Sequence, residues 1–251
     1  MVKKIKLLCF PYAGGSAMVY QKWRKYISDS IELCPIELAG RGKRFKEPLY
    51  QNFHELIEDM FNEIRHHLDG TYYAFYGHSL GSLVVYELLR HISYNSFYEP
   101  EHIFFSAHGS PFVEKTSIYQ NIHKLPDSEF LDRIQKLGGT PDDLLKHPQF
   151  TEVFLKILRA DFEVLNLYEP NFIKVNCPIT VLGGKHDQTI DNKELLGWKE
   201  HASSDFKIYK LNGGHFFIQE TIQEVTNIVN TRLINRINGG EPDDYKFSRI
   251  N

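Results

Sequence analysis

The pentapeptide Gly77-His78-Ser79-Leu80-Gly81 lies between an apolar, strand-like run from Tyr72 to Tyr76 and a helix-like run from Ser82 to Arg90. In that context a G-x-S-x-G sequence makes a turn from strand to helix so tight that only small residues fit beside the serine. The turn lifts the serine hydroxyl clear of the backbone at the top of a sheet. Free N–H groups of the following helix favour negative charge developing there. Ser79 is therefore the candidate nucleophile. The pentapeptide also occurs by chance in many chains, so the rest of the sequence must supply its partners.

Strand-like runs at Ile5 to Phe10 and Ile31 to Leu38 flank a helical segment around Ala17 to Ile27 and begin a βαβ pattern. Phe53, Leu56, Ile57, Met60, Phe61, Ile64 and Leu68 recur at helical spacing, with Glu55, Glu58, Asp59, Glu63 and Arg65 on the opposite face. Further strands are read at His102 to Ser106, Ile179 to Leu182 and Lys207 to Leu211. A closing helix carries Ile222, Val225, Val229 and Leu233. Strands alternating with helices imply a mostly parallel sheet covered on both faces, the α/β-hydrolase plan, here without room for its two opening antiparallel strands. From about Gly109 to Tyr168 the strands stop, and helices are expected at Glu129 to Leu137, Asp142 to Leu145 and Val153 to Leu167. That stretch reads as a helical lid over the ligand crevice within a single domain, although ordinary packing helices would give the same pattern. The polar tail from Asn238 to Asn251 is expected to be mobile.

Composition excludes several classes of function. The 251 residues carry a formal net charge of −3 with both signs interspersed, unlike the basic face of a nucleic-acid binder. No apolar stretch is long enough to span a bilayer, and the run from Met1 to Phe10 is too short for a secretory signal. Cys9, Cys34 and Cys177 lie far apart, without metal-ligand or redox spacing. A cytoplasmic, reducing location is expected.

A serine hydroxyl is a poor nucleophile at neutral pH and needs a base, which in turn needs an acid to orient it. In this fold the acid and then the histidine follow the serine along the chain. Of the twelve histidines, His215 occupies the place for the base, in Gly213-Gly214-His215-Phe216-Phe217 between the last strand and the last helix. Asp187, in the loop Gly183-Gly184-Lys185-His186-Asp187, takes the acid position ahead of Asp191, a helix cap, Asp161 in the lid and Asp205 in a polar turn. Two backbone N–H groups should form an oxyanion hole: Leu80, directly after the nucleophile, and Ala13 (with Tyr12 next) in the loop Phe10-Pro11-Tyr12-Ala13-Gly14-Gly15-Ser16. That loop lacks the G-K-[ST] ending and the G-x-G-x-x-G spacing of a phosphate cradle.

Nearly end to end, the chain resembles the type II thioesterases that accompany modular nonribosomal peptide and polyketide synthases. The resemblance rests on Phe10-Pro-Tyr-Ala-Gly-Gly-Ser16, Glu37-Leu-Ala-Gly-Arg-Gly-Lys-Arg44, Gly77-His-Ser-Leu-Gly81, Leu137-Gly-Gly-Thr-Pro141, Leu158-Arg-Ala-Asp-Phe162 and Gly213-Gly-His-Phe-Phe217. Tyr12 replaces a common histidine and Ala39 a common proline. The resemblance implies hydrolysis of acyl or aminoacyl thioesters from the phosphopantetheine arm of carrier proteins, clearing stalled synthase modules. Metal and dissociable cofactor are then unnecessary, because phosphopantetheine belongs to the substrate. A free-standing esterase, an acyltransferase and a non-catalytic binding protein of the same fold are the competing readings. A monomer is expected. Carrier proteins are typically acidic, and Arg41, Lys43, Arg44 and Lys46 form the densest basic cluster available to dock one. A solvated loop, or arginines bonding backbone carbonyls, would explain the same cluster.

Overall fold

The computed structural model describes residues 4–68, 72–95, 97–113, 120–138 and 148–237. Six parallel strands, β1 (Ile5–Phe10), β2 (Ile31–Pro35), β3 (Tyr73–His78), β4 (His102–Ser106), β5 (Ile179–Gly184) and β6 (Phe206–Leu211), form one sheet in the order β2-β1-β3-β4-β5-β6. The order reverses between β1 and β3, which is where such sheets open a crevice at their carboxyl ends. β3, the strand that delivers Ser79, is central, paired with β1 from Lys6↔Tyr73 to Phe10↔Gly77 and with β4 from Ala74↔His102 to His78↔Ser106.

Alternate residues of each strand point to opposite faces; both faces are buried in β3, β4 and β5, which read as near-continuous apolar runs, while the edge strands β2 and β6 stay partly exposed. Leu8, Phe10, Phe75, Phe105 and Val181 pack with α1 (Phe53–Leu68) and α2 (Leu80–Tyr94). Leu7, Cys9, Tyr76, Phe104 and Leu182 pack on the other side with Tyr20, Trp23, Val225, Val229 and Leu233.

Between β4 and β5 the chain forms α3 (Asp127–Leu137) and α4 (Pro148–Asn166). Ile122, Phe130, Ile134, Leu155, Leu158 and Phe162 give this insertion a small core of its own. α5 (Asn192–Leu196), α6 (Phe217–Glu220) and α7 (Ile222–Ile237) follow among the described residues.

Three local details differ from the sequence reading. The helical segment after β1 is a 3₁₀ helix, Ala17–Lys25, whose start is capped by the Ser16 hydroxyl accepting from the Met18 N–H. β2 ends at Pro35 rather than Leu38, with a last bond from the Ile36 N–H to the Cys9 carbonyl at 2.9 Å. β3 and β5 run two residues further than their apolar cores, to His78 and Gly184. The helix expected at Asp142 to Leu145 and the tail from Asn238 lie outside the described residues. Among the described residues no helix is long and apolar enough to cross a membrane.

Phe105 stacks on Trp198 with ring centroids 3.8 Å apart and planes 10° from parallel, both rings fully buried. Phe105→Ala removes one ring and leaves a cavity that the sheet cannot close. A loss of about 3–5 kcal/mol is expected, read as a lower urea midpoint at unchanged slope.

Candidate active site

Ser79 joins β3 to α2 with φ 53° and ψ −115°, a backbone conformation that L side chains rarely adopt. Its neighbours are cut to fit. A Cβ on Gly77 would run into the Gly81 backbone, and one on Gly81 into the Phe10 carbonyl. The Ser79 N–H donates to the Ser106 carbonyl at 2.7 Å. The Ser82 hydroxyl lies 2.8 Å from the Gly77 carbonyl and accepts from the Ser106 N–H at 3.1 Å, tying both ends of the turn to β4.

From the loop after β6, the His215 Nε2 comes within 3.1 Å of the Ser79 Oγ, and its Nδ1 within 2.8 Å of the Asp187 Oδ2. With Nδ1–H donating to the carboxylate, Nε2 is the atom that accepts the serine proton. The second carboxylate oxygen, Oδ1, accepts the Thr189 N–H at 2.9 Å and hydroxyl at 2.6 Å. Burial pushes the Asp187 carboxyl up, but the hydrogen bonds from His215 and Thr189 outweigh it and hold the group below its usual range. The competing acids sit elsewhere. Asp191 caps α5 through a capping box with Glu194, Asp205 pairs with Arg232, and Asp161 pairs with Arg41.

Two supporting residues escaped the sequence reading. Thr189 was detectable as a short side chain two residues after an Asp in a loop, the spacing of an Asx turn. His78 had no local signal beyond its place in the pentapeptide. It is fully buried, with Nε2 donating to the His215 carbonyl at 3.0 Å and Nδ1 accepting from the Ser106 hydroxyl at 2.8 Å. The Tyr76 hydroxyl donates to that same Ser106 oxygen at 2.8 Å, so a buried chain of polar groups leads from the core to the backbone of His215.

Opposite Ser79 runs the loop after β1. Its N–H groups at Gly14, Gly15 and Ala17 are engaged by Asp161 (2.7 Å), the Tyr12 carbonyl (2.9 Å) and Glu37 (3.0 Å). The Ala13 N–H has no acceptor among the described residues. Leu80 opens α2, where an N–H has no intrahelical acceptor. The Tyr12 hydroxyl is engaged by Gln219. A cavity of about 790 Å³ opens above these groups, lined among others by Ala13, Ser79, Ile134, Phe154, Leu158 and His215.

The basic cluster divides. Arg41 and Arg44 are buried, Arg41 in a bidentate pair with Asp161 and Arg44 between Asp59 and Glu47. Neither presents charge to a partner, because each guanidinium is consumed by carboxylates of its own fold, and the docking expectation fails for both. Lys43 and Lys46 are exposed.

Comparisons with known proteins agree with this geometry. A thioesterase domain model matches residues 5–233. The gramicidin S biosynthesis protein GrsT of Aneurinibacillus migulanus is 35% identical over 92% of this chain and 89% of its own. The medium-chain S-acyl fatty acid synthase thioesterase of Anas platyrhynchos is 32% identical over 87% of both. The crystal structure of ClbQ, from the colibactin NRPS/PKS pathway, superposes with a TM-score of 0.89 at 32% identity, covering 95% of this chain and all of that one.

Desolvation, then the neighbouring His215, drive the His78 pKa well below its ordinary 6.5. Below about pH 6.5 the unfolded chain therefore binds a proton that the folded one refuses, and stability falls as the pH drops. In His78→Asn that component disappears. Its unfolding free energy should fall less steeply from pH 6 to pH 5 than that of wild type, by up to about 1.4 kcal/mol per pH unit. Urea titrations across that range measure it, and an unchanged slope would show that His78 titrates normally.

Proposed function

The chain belongs to the thioesterase family, and we propose that Ser79, His215 and Asp187 hydrolyse acyl thioesters presented on the phosphopantetheine arm of carrier proteins. The observation that carries this reading is the continuous hydrogen-bonded line from Ser79 Oγ through the His215 ring to Asp187, with Ser79 and His215 lining the cavity. The Ser79 oxygen attacks the thioester carbonyl as its proton passes to His215 Nε2. The Leu80 and Ala13 N–H groups receive the oxyanion, and the thiolate leaves with the proton from His215. Water then attacks the acyl-serine, His215 taking its proton and returning it to Ser79 as the acid departs. Asp187 holds the ring in its working tautomer and stabilises the imidazolium. Every proton in this sequence has a protein group to carry it, so neither a metal nor a dissociable cofactor is required.

GrsT, from gramicidin S biosynthesis, and ClbQ, from an NRPS/PKS pathway, support placing this enzyme beside a modular synthase, where it removes unwanted acyl groups from carrier domains in the cytoplasm. The helices between β4 and β5 serve as its lid, since Ile134 of α3 and Phe154 and Leu158 of α4 line the cavity. Lys43 and Lys46, exposed beside the buried arginines, form the docking charge for an acidic carrier.

Ser79→Ala and His215→Ala should each lower kcat by about 10⁴ or more with the fold intact, and the double variant should lose little further, because the residues act as a unit. Asp187→Asn, favouring the wrong tautomer, should cost up to about 10⁴. Release of acyl groups from loaded carrier proteins, followed by mass spectrometry, measures all of them. Activity of Ser79→Ala within tenfold of wild type would end this mechanism. For docking, Lys43→Glu combined with Lys46→Glu should raise KM for acyl-carrier substrates, more at low salt, while a small acyl thioester is cleaved as before. Equal losses on both substrates would assign the lysines to structure.

A further inference from the structure

Asp161 is removed from the Ser79–His215–Asp187 line, yet it is among the most constrained carboxylates in the molecule. It stands on α4, 2% exposed, and receives three donors: Arg41 Nη1 at 2.6 Å and the Gly14 N–H at 2.7 Å on Oδ2, and Arg41 Nη2 at 2.7 Å on Oδ1. Arg41, 3% exposed, is fixed in turn, Nε donating to the Ala39 carbonyl at 3.3 Å and Nη1 lying 3.4 Å from the Gly15 carbonyl. A buried ion pair by itself is weak evidence for any role, since apolar residues of similar volume often serve stability as well. The third donor separates this pair from that case. Gly14 follows Ala13, and its N–H belongs to the peptide plane that closes the Ala13 residue.

The loop around it has little stiffness of its own. Gly14 adopts φ +75°, and Gly14 and Gly15 adjoin without side chains to pack. Contact from α4 supplies what the loop lacks: a Cβ on Gly14 would lie 2.6 Å from Leu158 Cδ2 and 3.2 Å from Phe154 Cε2, so the lid helix rests directly on the glycine backbone. One helix therefore contributes a wall to the acyl cavity through Phe154 and Leu158 and, one turn further on, a carboxylate that grips the oxyanion loop.

We propose that Asp161, held in place by Arg41, is a positioning residue for the oxyanion hole, fixing the peptide after Ala13 from the lid helix α4. The inference rests on the thioesterase reading above. It makes the second oxyanion donor dependent on α4 being seated: lifting the helix takes Asp161 off Gly14 and releases the loop that carries Ala13. A donor held loosely stabilises the developing oxyanion less but leaves ground-state binding nearly unaltered, because the uncharged carbonyl draws little from it.

The test uses the full chain, a small acyl thioester and an alkyl trifluoromethyl ketone, whose adduct with Ser79 carries an oxyanion. Asp161→Asn is isosteric and removes the charge; Arg41→Lys keeps the charge and removes the fork. Each should lower kcat roughly 10- to 100-fold, short of the full loss of an oxyanion donor, with KM within about threefold. The inhibition constant of the ketone should rise by the same factor as kcat/KM falls. The pH midpoint of kcat should stay where it is, since His215 and Asp187 are untouched. The double variant should lose little beyond the worse single one. Retained kcat in Asp161→Asn, or a loss confined to KM with ketone inhibition unchanged, would overturn the proposal and leave Asp161 a packing residue. The thioesterase reading is judged separately on wild type, by whether the ketone forms an adduct there that Ser79→Ala abolishes.

Discussion

Ser79 is held in a backbone conformation that costs on the order of 1–3 kcal/mol, and much of the molecule is arranged so that it cannot relax. The central place of β3 means that the turn is buttressed by β1 on one side and β4 on the other. The Phe10 carbonyl at the end of β1 closes against Gly81, and the Ser106 carbonyl at the end of β4 takes the Ser79 N–H. Those two strand ends also begin the loops that serve the site, one leading to Ala13 and the other toward the inserted helices. The sheet thus fixes the nucleophile, and the loops after β5 and β6 bring Asp187 and His215 to it.

Around that rigid turn the ionisable groups are arranged so that few charges are buried alone. Asp187 is kept ionised by His215 and Thr189 despite its burial, and Asp161 is paired with both nitrogens of the Arg41 fork. Arg44 answers Asp59 and Glu47 beneath α1. Bidentate pairing of this kind needs the planar guanidinium, which is why lysines occupy the exposed positions of the same segment and arginines the buried ones. Where no charge is wanted, desolvation removes it: His78 stays neutral and acts purely through directed hydrogen bonds.

Thioester hydrolysis suits a site of this construction. A thiolate is a good leaving group, so the demands fall on delivering the serine oxygen and on holding the oxyanion, and both depend on backbone placed by the fold. One wall of the cavity above Ser79 comes from the inserted helices, through Ile134, Leu137, Phe154, Leu158, Phe162 and Leu165, none of which belongs to the turn that fixes the nucleophile. Acyl preference can change there while the elbow remains as it is.

The order of strands and helices, the elbow and the loops of His215 and Asp187 were legible in the sequence, because each is announced locally, by an apolar run ending in a glycine-containing turn. Strand ends were less so, since β3 and β5 continue into polar or glycine residues whose strand character comes from neighbours in the sheet. The meaning of Arg41, Arg44, Asp161 and His78 was not available in this way. Arg41 and Asp161 lie 120 residues apart, and His78 reaches a carbonyl 137 residues away. A run of basic residues looks the same in sequence whether its charges meet solvent or buried carboxylates. The sequence alone determined which chemistry the chain carries, through short segments that dictate their own turns. Only tertiary structure decided which charges that chemistry spends, because a charge is assigned by its nearest partner in space and by the water excluded around it.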